Sequence, residues 1–183
     1  MYKRQVSTFR SEKANTENSQ KIVKDASGKI LRDNVWGSIN DDCHRRDFTI
    51  NAIYFNPISH ELFDKHNGIS DIYDKKIVSI GDPLLRFEED PVRSLRAVRF
   101  ASKLSFKIEN KLKDAIYQKG HLLTHVSNAR RFDEFNKIFL TGDGYKNFYR
   151  LKSFGILEYL VCLLYISDAA DEKRCGVGGG GGG

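Results

Sequence analysis

R-F-E-E-D-P-V-R-S-L-R-A-V-R-F-A-S-K-L-S-F, residues Arg86 to Phe106, is the stretch around which the chain is organised. It reads as a helix with a marked start. Asp90 stands at the N-cap and Pro91 at the first helical position, where a missing N–H costs nothing. Glu88 and Glu89 place negative charge at the positive end of the dipole. Arg93, Arg96 and Arg99 recur every three residues and form one slowly winding stripe. Val92, Leu95, Ala97, Val98, Phe100, Ala101 and Leu104 take most of the remaining circumference, which predicts a buried helix. Guanidinium groups on a buried helix need acceptors. Internal carboxylates are one source, with Glu89 and Arg93 an available i,i+4 pair. Phosphates from outside the chain are the other, because planar Arg forks match them.

The 183 residues can hold one domain or two small ones with a sizeable core. A net charge of +6 and a pI near 9.2 permit a nucleic-acid partner without requiring one. Nothing reads as a signal peptide or as an apolar run long enough to span a bilayer. Cys43, Cys162 and Cys175 are odd in number and lack paired metal-ligand spacing, which suggests reduced thiols in a cytoplasmic setting. Both ends look foreign. Met1–Gln5 and roughly Val161–Cys175 resemble translated adapter sequence, and a glycine run closes the chain. Such segments are set aside from fold reasoning, although Gly-rich ends also occur as natural flexible tails.

Val6–Arg10 alternates and is β-prone, so it reads as the end of a strand, and Ser11–Lys29 reads as a mobile polar loop. In Leu31–Asp42, Asn34, Gly37 and the Asp41-Asp42 pair are expected to break any long element. From Phe48 the pattern alternates like a strand, with Arg45, Arg46 and Asp47 at its entrance. Pro57–Asp71 reads as a connection with an edge hairpin closed by His66-Asn67-Gly68, and Gly81-Asp82-Pro83 as a turn leading into the Arg helix. After Ser105 the pattern is helical throughout. Leu112, Ile116 and Tyr117 mark one helix, stopped at Gly120. Residues Arg130–Leu140 mark a second, and Phe148 to Leu160 a third. The layout is therefore α+β. His121 and His125 form an i,i+4 pair with no third ligand, for which a structural role is the simpler reading. No nucleophile elbow, phosphate loop or Cys-x-x-Cys pair occurs.

Three runs together carry a resemblance: L-R-D-N-V-W-G-S-I-N-D-D-C-H-R-R-D-F-T-I-N-A-I-Y-F, the I-G-D-P turn, and E-D-P-V-R-S-L-R-A-V-R-F-A-S-K-L. They resemble the bacterial poly(A) polymerase and CCA-adding tRNA nucleotidyltransferase family, in which a nucleotidyltransferase head precedes a helical neck and body. The resemblance covers nearly all of Val6–Leu160. The L-R-D-N-x-x-G-S-I run, the preceding T-F-R and the long polar loop are closer to the poly(A) polymerase branch. The resemblance implies a partial, β-leaning head over residues 6–83 and an all-helical neck and RNA-binding part over 84–160, while residues 1–5 and 161–183 are the ends that look non-native.

By the same resemblance, Arg46 contacts the incoming nucleotide and Asp47 is an active-site aspartate. Asp90 and Arg93 read the nucleobase, and Arg96 and Arg99 are phosphate or nucleotide contacts. Arg130 and Glu134 match a later motif that braces the helical neck, although the family has a different residue where Arg131 stands. The implied activity is template-independent addition of AMP from ATP to an RNA 3′ end, with Mg²⁺ as cofactor.

One departure matters more than the matches. The family's Gly-Gly-x-Val-Arg-Asp segment is missing, and no Asp-x-Asp occurs anywhere in the sequence. Two-metal phosphoryl transfer needs such carboxylates. The chain as written is thus expected to be a head-truncated fragment, inactive by itself, with no metal ligands of its own. The base-reading role has chemistry behind it. Adenine and cytosine present an exocyclic amine beside an unprotonated ring nitrogen, so a carboxylate can accept from one and a guanidinium donate to the other. Guanine and uracil oppose both contacts. CCA addition is the alternative within the family, and a non-catalytic RNA-binding module is the alternative outside it.

Overall fold

The computed structural model describes residues 8–10, 37–140 and 142–161. Val6 and Ser7 of the expected strand end, the Ser11–Lys29 loop, the Leu31–Trp36 run, Met1–Gln5 and residues 162–183 lie outside the described residues. The described chain is α+β and divides into two compact units. One comprises Met1–Asp74 with Val78–Gly81, the other Lys75–Ile77 with Asp82–Gly183. No described helix is long and apolar enough to cross a membrane.

The first unit contains a short helix that runs through the Asp41-Asp42 pair, where the sequence predicts only breaks in any long element. Helix α1 spans Ile39–Arg45 and opens with a reciprocal capping box. Asp41 N–H donates to Ser38 Oγ at 3.2 Å, and Ser38 N–H donates to the Asp41 carboxylate at 2.8 Å. The strand expected from Phe48 is also corrected. Thr49–Asn51 is a 3-10 turn, because the Asn51 and Ala52 N–H groups donate back to Phe48 and Thr49. Only Ile53–Phe55 forms strand β1. Phe48 pairs instead with Ser79 in an isolated antiparallel bridge and is 1% exposed.

Strand β1 pairs antiparallel with β2, Leu62–Asp64, with Tyr54 opposite Phe63. The hairpin therefore exists, but residues 56–61 close it. The Asn56 side-chain oxygen accepts from the Ile58 N–H at 2.9 Å, and its N–H donates to Glu61. The Asn67-Gly68 pair does different work. Asn67 is left-handed (φ 58°), and Gly68 starts helix α2, Gly68–Tyr73. The Asp64 carboxylate accepts from the Gly68 and Ile69 N–H groups, each at 2.8 Å, and satisfies that helix start.

In the second unit, strand β3 (Lys76–Ile77) pairs parallel with β4 (Lys107–Ile108), so this part is not all helical. The Arg stretch is two helices. Helix α3 spans Pro83–Glu89, with Asp82 accepting from the Leu84 N–H at 3.0 Å. Asp90 is extended (φ −148°), as a residue before proline prefers, and ends that helix. Helix α4 then runs Val92–Leu104 to a left-handed Ser105. Glu88 and Glu89 thus close α3 rather than complement the start of the Arg helix. The cap expectation itself stands. Pro91 has helical angles, and the Asp90 carboxylate accepts from the Val92 N–H at 3.3 Å.

Helices α5 (Asn110–Lys119), α6 (Asn128–Phe139) and α7 (Gly144–Ser153) follow, with a 3-10 segment at Gly120–His125. The single helix expected from Phe148 to Leu160 is interrupted at Gly155 (φ 66°), after which residues 157–161 are helical again. The core of this unit is built from Ile77, Phe87, Leu95, Val98, Leu112, Ile116, Leu123, Ile138, Leu151 and Ile156, each at most 1% exposed. A fully buried Leu or Phe contributes about 1.5–3 kcal/mol each.

Gly68 offers a direct test of the first unit. A Cβ there would lie 2.3 Å from the Thr49 carbonyl oxygen, a backbone atom that cannot yield cheaply. Gly68→Ala should destabilise the chain by about 1–3 kcal/mol, the scale of overpacking. Urea unfolding measures it, and an unchanged midpoint would contradict the packing described.

Candidate functional site

In the first unit the charged entrance converges on Asp42, whose side chain is 1% exposed. One of its oxygens accepts from Arg45 Nε at 2.7 Å and from the Arg10 backbone N–H at 3.3 Å. The other accepts from Arg46 Nε at 3.0 Å, Arg46 Nη2 at 2.7 Å and the Tyr54 hydroxyl at 2.7 Å. Burial alone would push this carboxyl up. The donors from Tyr54, Arg46, Arg45 and Arg10 outweigh it and hold the group well below the usual carboxylate range. Burial and the same hydrogen bond push the Tyr54 phenol up. The Arg46 guanidinium lies 6.0 Å from the Tyr54 ring centroid, and its side chain keeps 40% of its surface exposed. Asp47 is buried, with its carboxylate accepting from Asn51 Nδ2 at 3.3 Å and its carbonyl from the Ile80 N–H. Beside it, Thr49 donates to Asp71 at 2.6 Å.

In the second unit the carboxylates that brace α4 come from within the chain. Arg93 Nη1 donates to Glu89 at 2.9 Å and to the Arg86 carbonyl at 3.3 Å, so the expected i,i+4 pair forms. Arg86 donates to the same Glu89 oxygen. Arg99 Nε lies 3.7 Å from Glu134, and its guanidinium sits 4.7 Å from the Phe100 ring centroid. The Arg96 guanidinium lies 5.9 Å from the same ring. Asp90 accepts from Arg130 Nη2 at 3.2 and 3.0 Å. Of the two α6 residues singled out in the sequence, Arg130 reaches Asp90, just ahead of α4, and Glu134 reaches Arg99 within it. Arg131, the departure from the family pattern, is 4% exposed. It donates to Asn128 Oδ1 at 2.8 Å and to the Tyr159 carbonyl at 3.5 Å, and burial pulls its pKa down.

Arg46 and Asp47 thus lie together in the first unit, and Asp90, Arg93, Arg96 and Arg99 line one helix start and stripe in the second. The sequence reading missed Asp42. The signal was present: Asp42 stands three and four residues before Arg45 and Arg46, the spacing at which side chains meet on a helix. Without the helix, that spacing carried no information.

Two family models match the chain in order. The poly A polymerase head domain matches residues 2–78, and the model described as "Probable RNA and SrmB-binding site of polymerase A" matches 105–164. Asp90, Arg93, Arg96 and Arg99 lie between these stretches. Poly(A) polymerase I of Haemophilus influenzae is 40% identical over 170 residues, which is 92% of this chain and 38% of that protein. The crystal structure of the Bacillus stearothermophilus CCA-adding enzyme in complex with CTP matches with a TM-score of 0.63 at 33% identity, covering 69% of this chain and 32% of that one. A tRNA nucleotidyltransferase solved with a primer tRNA and an incoming ATP analog gives 0.64 at 30% identity, covering 69% of this chain and 38% of that one. Head and RNA-binding parts in this order define a nucleotidyltransferase class. The chain belongs to the bacterial poly(A) polymerase and CCA-adding tRNA nucleotidyltransferase family. It spans a little over a third of the length of the Haemophilus relative.

The Asp42 network makes a pH prediction with a defined sign. The folded state holds this carboxyl ionised below its usual range, so in acid it binds fewer protons than the unfolded state. Stability from this group is complete above about pH 4, where the unfolded carboxyl ionises, and is lost as pH falls below that. Asp42→Asn should lower the melting temperature at pH 7. Between about pH 4 and pH 2 its melting temperature should fall less steeply than that of the wild type. Parallel declines would contradict the assignment.

Proposed function

We propose that this chain serves template-independent nucleotidyl transfer, adding AMP from ATP to RNA 3′ ends, with RNA and ATP as partners in a cytoplasmic setting. The observation that carries the reading is the start of α4. Asp90 and Arg93 stand one helical turn apart there, a carboxylate and a guanidinium at the spacing that can meet an exocyclic amine and the adjacent ring nitrogen. Arg93 Nη1 is fixed by Glu89 and the Arg86 carbonyl, which orients the rest of its fork. Asp90 is held by Arg130, whose side chain is 59% exposed. An exposed pair of this kind contributes about 0–1 kcal/mol, so a base amine can displace Arg130 at small cost. Arg46 takes the nucleotide in the first unit, Asp47 is the active-site carboxylate, and Arg96 and Arg99 contribute the charge that meets phosphate. The Haemophilus poly(A) polymerase match over 92% of the chain supports AMP as the unit added.

CCA addition is the second reading, favoured by the solved relatives with CTP and with primer tRNA. The Asp90–Arg93 pair admits both adenine and cytosine, so it supports either member of the family. The resemblance also implies Mg²⁺. Among the described residues no group of three or more His, Cys, Asp or Glu side chains is gathered to hold a metal ion. These residues do not fit the ion, and no step here runs through it.

The test is incorporation of each of the four nucleotides by a chimaera carrying the amino-terminal head of the Haemophilus relative ahead of this chain. Asn caps a helix about as well as Asp, so Asp90→Asn should leave the α4 start intact. It also brings an amide donor that can face the carbonyl of G or U. Discrimination should relax by about 1–3 kcal/mol for one contact pair, and Arg93→Ala should relax it as well. Arg96→Ala should mainly raise the nucleotide concentration required. Unchanged preference for A in both Asp90→Asn and Arg93→Ala, with normal melting in the first, would leave Asp90 as a cap and partner of Arg130.

A further inference from the structure

The Asp42 carboxylate is better provided with donors than ion pairing alone requires. Two guanidinium groups, a phenol and a backbone N–H converge on it, from α1, from the residue after α1, from β1 and from Arg10. We infer that Asp42 is a positioning residue for Arg46, aiming the guanidinium at the phosphates or sugar of an incoming nucleotide. The inference rests on the nucleotide-binding role proposed for Arg46.

Three features of the geometry point this way. Arg46 has already left the helix, with extended backbone angles (φ −64°, ψ 155°), so α1 itself does not fix its side chain. Asp42 draws that side chain back by engaging the Nε and Nη2 groups together, at 3.0 and 2.7 Å. A guanidinium gripped along this edge cannot swing, and its Nη1–Nη2 edge is the one a second acceptor would meet. Tyr54 completes the clamp. Its hydroxyl donates to the same Asp42 oxygen that Arg46 uses, and its ring lies 6.0 Å from the Arg46 guanidinium. The β1–β2 hairpin is thereby tied to α1 through the atom that holds Arg46.

Charge alone predicts the opposite of positioning. Asp42 offsets one of the two arginines it holds. Removing its charge leaves the pocket more positive and should tighten binding of any polyphosphate. A positioning role predicts weaker binding in spite of the added positive charge. This opposition in sign makes the inference testable.

The experiment measures ATP dissociation constants by calorimetry on the full chain as wild type, Asp42→Asn, Tyr54→Phe, Arg46→Ala and the Asp42→Asn/Arg46→Ala double variant, with melting curves on each. Asp42→Asn should weaken ATP by at least about tenfold, the scale of one lost charge-assisted contact. Tyr54→Phe, which alters no charge at neutral pH, should weaken it in the same direction. The double variant should bind no worse than Arg46→Ala alone, because Asp42 acts only through Arg46. A merely structural Asp42 would weaken the double variant further. If Arg46→Ala weakens binding while Asp42→Asn tightens it or leaves it unchanged, the inference fails and the role of Arg46 stands. If Arg46→Ala binds like the wild type, or the wild type takes up no ATP, the role of Arg46 fails and the inference with it. Should Asp42→Asn not fold, Tyr54→Phe decides: unchanged affinity in that variant overturns the clamp.

Discussion

An enclosed charge must meet a partner or lose its charge, and this constraint sets the geometry of both units. In the first, the Asp42 carboxylate is 1% exposed and remains ionised only because Arg45, Arg46, Tyr54 and the Arg10 backbone donate to it. Those donors come from separate parts of the unit, so satisfying one carboxylate fixes α1 against the β1–β2 hairpin. In the second, α4 presents one face of small and aliphatic side chains to the core and carries arginines on the other. Glu89 from α3 meets Arg93, and Glu134 from α6 meets Arg99. The two readings of those arginines, internal pairing or external phosphate, are therefore compatible. An arginine held on one edge is prepared to bind on another.

What could be read in the sequence followed from strong local chemistry. The Asp90-Pro91 helix start and the Glu89–Arg93 pair are legible because capping and i,i+4 contact depend on residues a few positions apart. Helix α3 goes unrecognised because the sequence pattern places a turn at Gly81-Asp82-Pro83 and the start of the Arg helix only at Asp90. Its own start at Asp82-Pro83 and its end at the residue before Pro91 were both written in the chain. Helix α1 was missed in the same way. Ser38 and Asp41 form a capping box, but the acidic pair was read as an interruption. Other features could not be read locally. Strands β3 and β4 have two residues each and exist because Lys107 and Glu109 N–H groups find the Lys75 and Ile77 carbonyls across some thirty positions. Asn67-Gly68, a common hairpin signal, became a helix start because the Asp64 carboxylate supplied acceptors for its N–H groups.

The site shows the same division. Long motifs single out Arg46, Asp47, Asp90 and Arg93, and the structure adds what holds each of them. Asp42 holds Arg46, Asn51 donates to Asp47, Arg130 donates to Asp90, and Glu89 accepts from Arg93. Every one of these supporting side chains is a charged or amide residue that composition alone would assign to the solvated surface. In the proposed function they convert flexible side chains into fixed donors and acceptors, which template-independent base selection requires. A protein that reads a base without a complementary strand has only such rigidity to discriminate with.

The most direct measurement of that claim is a crystal structure of the head-bearing chimaera with ATP bound. The account predicts the adenine amine within hydrogen-bond distance of the Asp90 carboxylate and the adjacent ring nitrogen facing Arg93, with Arg130 displaced from Asp90. An adenine seated away from the start of α4, with Asp90 still bound to Arg130 and Val92, would contradict it.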